Sequence, residues 1–151
     1  MRTIQRDIVG ILIFSKDGYI LQGRKNPKDG GVYDDCWLIP GGGIKPGEDH
    51  RSALLREARE ELDLDLSTYP AVLVNETRGV SEKTLQPSGE RVSCEMQFHD
   101  YRFDISDRNA AEIIISLNDD LAEYRWSHPS DLKTLKLSPP SVELFTKLGY
   151  L

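Results

Sequence analysis

"GGIKPGEDHRSALLREAREELDL", Gly42 to Leu64, joins a glycine-rich loop to a segment with an unusual load of acid. From His50 to Leu62, residues Leu54, Leu55, Ala58 and Leu62 share one arc at about 100° per residue, which predicts an amphipathic helix with that arc facing the core. Asp49 is the expected N-cap, and Glu48 and Asp49 suit the positive end of the helix dipole. Glu57, Glu60 and Glu61 occupy a neighbouring arc. Glu57 and Glu61 stand at i,i+4, where like charges destabilise a helix by roughly a few tenths of a kcal/mol, and they lie toward the wrong end of the dipole. A helix tolerates both penalties where something positive gathers the acids. Carboxylates at i, i+3 and i+4 project from one side and can converge on a divalent cation such as Mg²⁺, which takes oxygen ligands. Arg56, four residues before Glu60, can orient or partly neutralise it. Taken alone, the acids also fit a solvated acidic face.

The loop "PGGGIKPGED", Pro40 to Asp49, lets the backbone approach a ligand closely. It is not a phosphate-cradling P-loop, because no Gly-Lys-Ser/Thr follows. Nor is it the dinucleotide fingerprint, since Pro46 takes the third glycine position after Gly41 and Gly43.

Outward from this unit, Ile8 to Phe14 and Tyr19 to Gln22 read as a β-hairpin around Lys16-Asp17-Gly18. A polar loop runs from Lys25 to Asp35, and Cys36 to Ile39 reads as a short strand stopped by Pro40. Ala71 to Thr77 and Val92 to Ile105 read as longer strands joined by the polar stretch Ser81 to Arg91. Ile113 to Ile115 is apolar and β-branched enough for a further short strand, and Leu121 to Trp126 forms another. Ser138 is the expected N-cap of a last helix with Pro139 and Pro140 in its first turn, ended by Gly149. Strands interspersed with helices indicate one α/β domain over residues 1–151 with a mixed sheet.

The chain of 151 residues suits one domain, and its 38% hydrophobic and 29% charged content is that of a globular protein. Its net charge of −6 argues against a nucleic-acid polymer or an anionic membrane surface as partner, but not against a small anionic substrate held by local cations or a metal. Cys36 and Cys94 form no CxxC or His/Cys cluster and read as reduced, at least partly buried thiols. No signal pattern precedes the first strand, and no apolar run approaches the about 20 residues that span a bilayer. A cytoplasmic location is expected, with the oligomeric state open and a homodimer among the options.

The spacing Gly42, five residues, Glu48, seven residues, Arg56-Glu57-Ala58-Arg59-Glu60-Glu61, then Leu64, resembles the signature of the Nudix hydrolases over 23 residues. That pattern continues from Glu-Glu through any residue and a glycine to an aliphatic, so this chain departs from it at Asp63. Asp tolerates the left-handed helix end better than most residues do, so the departure bears on the helix end rather than on a metal site. Trp37 to Gly42 and Glu123 to Trp126 resemble the family's approach to the box and a late strand.

The resemblance implies a Nudix-type α/β/α sandwich with a central mixed β-sheet. It implies a pyrophosphohydrolase that cleaves a nucleoside diphosphate linked to another group, such as a nucleoside triphosphate or a nucleotide sugar. Glu57, Glu60 and Glu61 match the family's ligands for Mg²⁺, or alternatively Mn²⁺, and Gly43 falls where a backbone carbonyl adds a ligand. Glu57, Glu60 and Arg56 are expected to carry the reaction, with Glu48 and Arg56 fixing the geometry of the ligands. A general base from a later loop would be Glu112 or Glu123. Arg24, Lys25 and Lys28 are candidates for phosphate contacts, and Trp37, Trp126, Tyr33 and Tyr101 for stacking on a base. His50, His99 and His128 lack ligand spacing and are expected in structural roles. The competing function is a catalytically silent Nudix-fold nucleotide sensor; retention of all three glutamates favours the enzyme.

Overall fold

In the computed structural model, which describes residues 1–26, 33, 35–118 and 121–151, strand β1 (Arg2–Ser15) is the axis of the sheet. One edge of β1 pairs in parallel with β6 (Arg91–Ile105) along its whole length, Ile8 opposite Phe98 and Gly10 opposite Asp100. The other edge is shared. Antiparallel β4 (Gly41–Gly43) takes Ile8 to Gly10, and β2 (Ile20–Lys25) joins at Phe14 after the turn at Gly18. Strand β3 (Trp37–Leu38) and β7 (Leu121–Ser127) both pair with β2, and β5 (Val72–Thr84) lies antiparallel outside β6. One parallel pairing among antiparallel ones makes the sheet mixed, as the alternation of elements predicts.

The two faces of the sheet bury different side chains, as strand alternation requires. Val9, Ile11 and Ile13 pack with Leu54, Ala58 and Leu62 of helix α1 (His50–Leu62). Leu12, Phe14 and Ile20 pack with Leu144 and Phe145 of helix α2 (Pro139–Lys147). A helix on each face gives the expected α/β/α layering. Cys36 and Cys94 are buried, and neither is in a disulfide among the described residues. Among the described residues, no helix is long and apolar enough to cross a membrane.

Both helix starts follow the sequence. The Asp49 side chain accepts from the Ser52 N–H at 2.7 Å, and the Ser138 side chain caps α2 through Ser141 N–H, with Pro139 and Pro140 in its first turn. Asp63 sits in the left-handed region, φ 50° and ψ 42°, ending α1 with Asp63 N–H to Arg59 O and Leu64 N–H to Ala58 O. That pair of bonds is a Schellman end, which normally takes glycine. Just beyond the helix, Asp65 accepts from Ser67 N–H at 2.9 Å and faces Arg59 at 3.5 Å.

Four sequence expectations change. Ile113 to Ile115 is not a strand. The N–H groups that follow, Ser116 and Asn118, bond instead to the Leu62 and Glu61 carbonyls left unpaired at the end of α1. The stretch Ser81 to Arg91 is partly ladder, because β5 runs to Thr84 and β6 starts at Arg91, with the turn over Leu85–Glu90. No side chain from Ser81 to Arg91 is buried, and exposed pairs such as Arg91 with Glu82 cross the ladder there, so the stretch reads as polar in the sequence. Finally, the glycines of the loop form β4, a strand without side chains, and Cys36 to Ile39 shortens to Trp37–Leu38.

Asp63→Gly is expected to stabilise the fold by up to about 1 kcal/mol, since glycine adopts the left-handed region without steric cost. A shift of the urea midpoint to higher concentration checks this; an unchanged or lower midpoint contradicts it.

Candidate active site

Beyond β4 the chain makes a tight turn, with Gly47 at φ 79° and Glu48 N–H bonded to Lys45 O, which brings Glu48 back beside α1. There Arg56 gathers the acids. Its Nε donates to Glu48 Oε2 at 2.7 Å and its Nη2 to Glu48 Oε1 at 2.9 Å, a two-pronged pair. The same Nη2 donates to the Gly43 carbonyl at 2.9 Å, and Nη1 reaches Glu57 Oε1 at 2.9 Å and Glu60 Oε2 at 3.1 Å. The hydrogen bonds from Arg56, helped by the Lys45 N–H, hold the Glu48 carboxyl down at about 2. Reciprocally, the carboxylates push the Arg56 guanidinium above its usual value, led by Glu48.

Glu57 and Glu61 are buried, 7% and 3% exposed, although they belong to an acidic run. Glu57 lies so close over Gly42 that a Cβ there would collide with all of its carboxyl atoms, which explains the glycine. Both side chains border a cavity of about 320 Å³ between β4, β6 and α2. Its floor is apolar, with Ile8, Leu38, Phe98 and Leu144, and its rim carries Arg6, Lys25 and Lys83.

The donor set suits a hard divalent cation, since carboxylate and carbonyl oxygens are what such ions take. Among the described residues, no three acids or histidines are drawn into a closed cage. The guanidinium lies between them instead. It occupies one oxygen of Glu57 and one of Glu60, while Glu57 Oε2 and Glu60 Oε1 carry no hydrogen bond among the described residues.

One further acid belongs to the cavity. Asp100 is 3% exposed on β6, opposite Gly10, where any Cβ would collide with Asp100 Oδ1. Its Oδ2 accepts from Asn75 Nδ2 at 3.4 Å, and Asn75 Oδ1 accepts from Lys147 Nζ at 2.8 Å. Burial pushes the Asp100 carboxyl up to about 6, against the lowering effect of the Asn75 hydrogen bond.

The other expected residues divide. Lys25 and Tyr33 border the cavity, whereas Arg24 and Trp37 do not. Arg24 pairs with Glu123 and stacks over Trp37, its guanidinium 4.8 Å from the ring centroid. Lys28 lies outside the described residues. Glu112 caps a short 3-10 turn through Asn109 N–H, so neither it nor Glu123 reaches the cavity. Trp126 packs against the core, and Tyr101 bonds His50. His99 braces three strands between Asp7 and Glu76; burial lowers its pKa, and the hydrogen bonds and charges of the two carboxylates together raise it. Sequence reasoning missed Arg6, Phe98 and Asp100. Their shared face follows from the parallel register of β1 and β6, and a pairing between strands so far apart in the chain leaves no local signal.

Asp100→Asn removes a buried charge. Because the folded-state carboxyl titrates at about 6 rather than 3.8, wild type loses stability as pH rises through that window. The variant is therefore expected to be more stable near neutral pH by about 1–3 kcal/mol, with the difference vanishing near about pH 4. Urea midpoints at both pH values check this; a variant less stable than wild type at neutral pH contradicts it.

The model of the NUDIX domain matches residues 4–148. The nucleoside triphosphatase NudI of Escherichia coli K12 is 33% identical over 128 residues, 85% of each chain. Among solved structures, a MutT protein from Methanosarcina mazei Go1 superposes with a TM-score of 0.70 at 17% identity, covering 97% of this chain and 94% of that one. The dihydroneopterin triphosphate pyrophosphohydrolase of E. coli does so with a TM-score of 0.68 at 14% identity, covering 95% and 96%. With the box spacing, the two-sided sheet and the Arg56-centred acids all in agreement, the chain belongs to the Nudix hydrolase family.

Proposed function

We propose that this hydrolase cleaves a phosphoanhydride bond of a nucleoside triphosphate, using Mg²⁺ or Mn²⁺. The observation that carries the reading is the Arg56 fork, which holds Glu48, Glu57 and Glu60 beside the glycine strand at the mouth of the cavity. Glu57, Glu60, Glu61 and the Gly43 carbonyl would hold the metal, and Glu48 and Arg56 would keep them in place. When bound, the metal supplies positive charge against the diphosphate oxygens and makes the attacking water more acidic. Arg6, Lys25 and Lys83 at the rim would steer and position the polyphosphate. The apolar floor would take the base, with Phe98 and Tyr33 offering ring faces.

In the step itself, the water oxygen bonds phosphorus as the bridging P–O bond breaks. Glu57 or Glu60, each keeping one oxygen clear of Arg56, receives the water proton. A triphosphate is preferred to a nucleotide sugar because the NudI relatives, named as nucleoside triphosphatases, match over 85% of their length. A silent nucleotide sensor is the weaker reading, because every glutamate the chemistry needs is retained.

The test is a panel of nucleoside triphosphates and nucleotide sugars with Mg²⁺ or Mn²⁺, scored for phosphate and pyrophosphate release. Turnover of triphosphates by wild type is expected, with a loss of about 10²-fold or more in Glu60→Gln. Full activity in Glu60→Gln, or no turnover by wild type, contradicts the proposal.

A further inference from the structure

The Asp100 carboxyl has no role in the chemistry above, yet the fold goes to some length to hold it. It is buried to 3% exposure and lines the cavity that Phe98 and Leu144 also line. Its Oδ2 is fixed by Asn75, itself 5% exposed at a bulge of β5, and Asn75 is fixed in turn by Lys147 from the surface of α2. Lys147 therefore reaches Asp100 only through an amide, so no cation touches the carboxyl among the described residues. Oδ1 carries no hydrogen bond among the described residues and projects over Gly10 into the cavity that both residues line. Gly10 leaves the room for it. Ser138 and Ser141 line the same cavity, where the Ser138 hydroxyl donates to Ser141 Oγ at 3.0 Å, and neither bonds the carboxyl among the described residues.

Gln22 Nε2 is the one sealed side-chain polar atom without a partner among the described residues, so Asp100 Oδ1 is held in one orientation yet stays open to a donor that a ligand brings. We propose that Asp100 is the base-selecting residue of this enzyme, its Oδ1 accepting one hydrogen bond from an N–H on the ring edge of the bound base. This rests on the reading of the cavity as the nucleoside site. The ligand class follows from the single clear oxygen. A base that presents a ring imide N–H or an exocyclic amine is accepted. A base with that edge alkylated leaves Oδ1 unpaired and puts a methyl group against a charge. The Asn75–Lys147 chain is a positioning device that keeps Oδ2 occupied and Oδ1 aimed.

The experiment compares, on wild type, the best nucleoside triphosphate of the panel with its counterpart methylated at the base N–H. The same pair is then measured on Asp100→Asn. In the variant, an amide oxygen held by Asn75 turns the amide N–H₂ toward the base, donor against donor. Methylation is expected to lower kcat/KM of wild type by at least about tenfold, falling on KM more than on kcat. In Asp100→Asn the discrimination between parent and methylated nucleotide is expected to shrink toward one. Equal turnover of both nucleotides by wild type overturns the proposal, as does undiminished discrimination by the variant; in both cases triphosphate hydrolysis itself stands. Failure of wild type to hydrolyse any nucleotide overturns both readings. The wild-type comparison decides even if the variant does not fold.

Discussion

The guanidinium of Arg56 is the constraint on which the acidic helix depends. Its donors are spent on the loop and the helix together: Glu48 and the Gly43 carbonyl on one side, Glu57 and Glu60 on the other. Arg suits this place because its planar fork satisfies several oxygens at fixed angles, which a lysine ammonium would not do. Without it, carboxylates a few ångströms apart and partly removed from water would repel one another strongly. With it, the turn from Ile44 to Asp49 is tied to the middle of α1, and Glu57 and Glu60 are each held by one oxygen. The like-charge conflict in the sequence is thereby eased by the chain's own guanidinium.

The sheet places this cluster. Because β1 gives one edge to β6 and divides the other between β4 and β2, the glycine strand lies beside the cavity and under the helix. Side chains on β4 would prevent that. A Cβ at Gly42 collides with Glu57 and one at Gly41 with the backbone of Val9. The hydrophobic anchor on the opposite side of α1, Leu54, Ala58 and Leu62, fixes the helix against the other face of β1. Glu57 and Glu61 are consequently pressed toward the sheet and buried, rather than spread into solvent as an ordinary acidic face would be.

Features encoded by local spacing were legible in the sequence. The helix with its Asp49 cap, the second helix with its Ser138 cap, the hairpin at Gly18 and the box itself all depend on residues close together in the chain. Asp63 was legible as a departure, and the left-handed backbone there shows what glycine would have done. What stayed hidden depends on pairings across the chain. Ile113 to Ile115 has strand composition, but the segment it leads into uses its N–H groups to close the end of α1. Arg24 and Trp37 have the chemistry of substrate contacts, but they engage each other and Glu123 instead. Asp100 is one acid among many until the register with Gly10 sets it in the lining of a cavity.

The most direct measurement is the melting temperature as a function of Mg²⁺, for wild type and for Glu57→Gln. A ligand that binds only the folded state stabilises it by RT ln(1 + [L]/Kd), so wild type should melt progressively higher as Mg²⁺ rises through the millimolar range. The variant lacks a ligand charge and should respond less. A flat response in wild type, or an equal rise in Glu57→Gln, would contradict the assignment of these glutamates to a metal site.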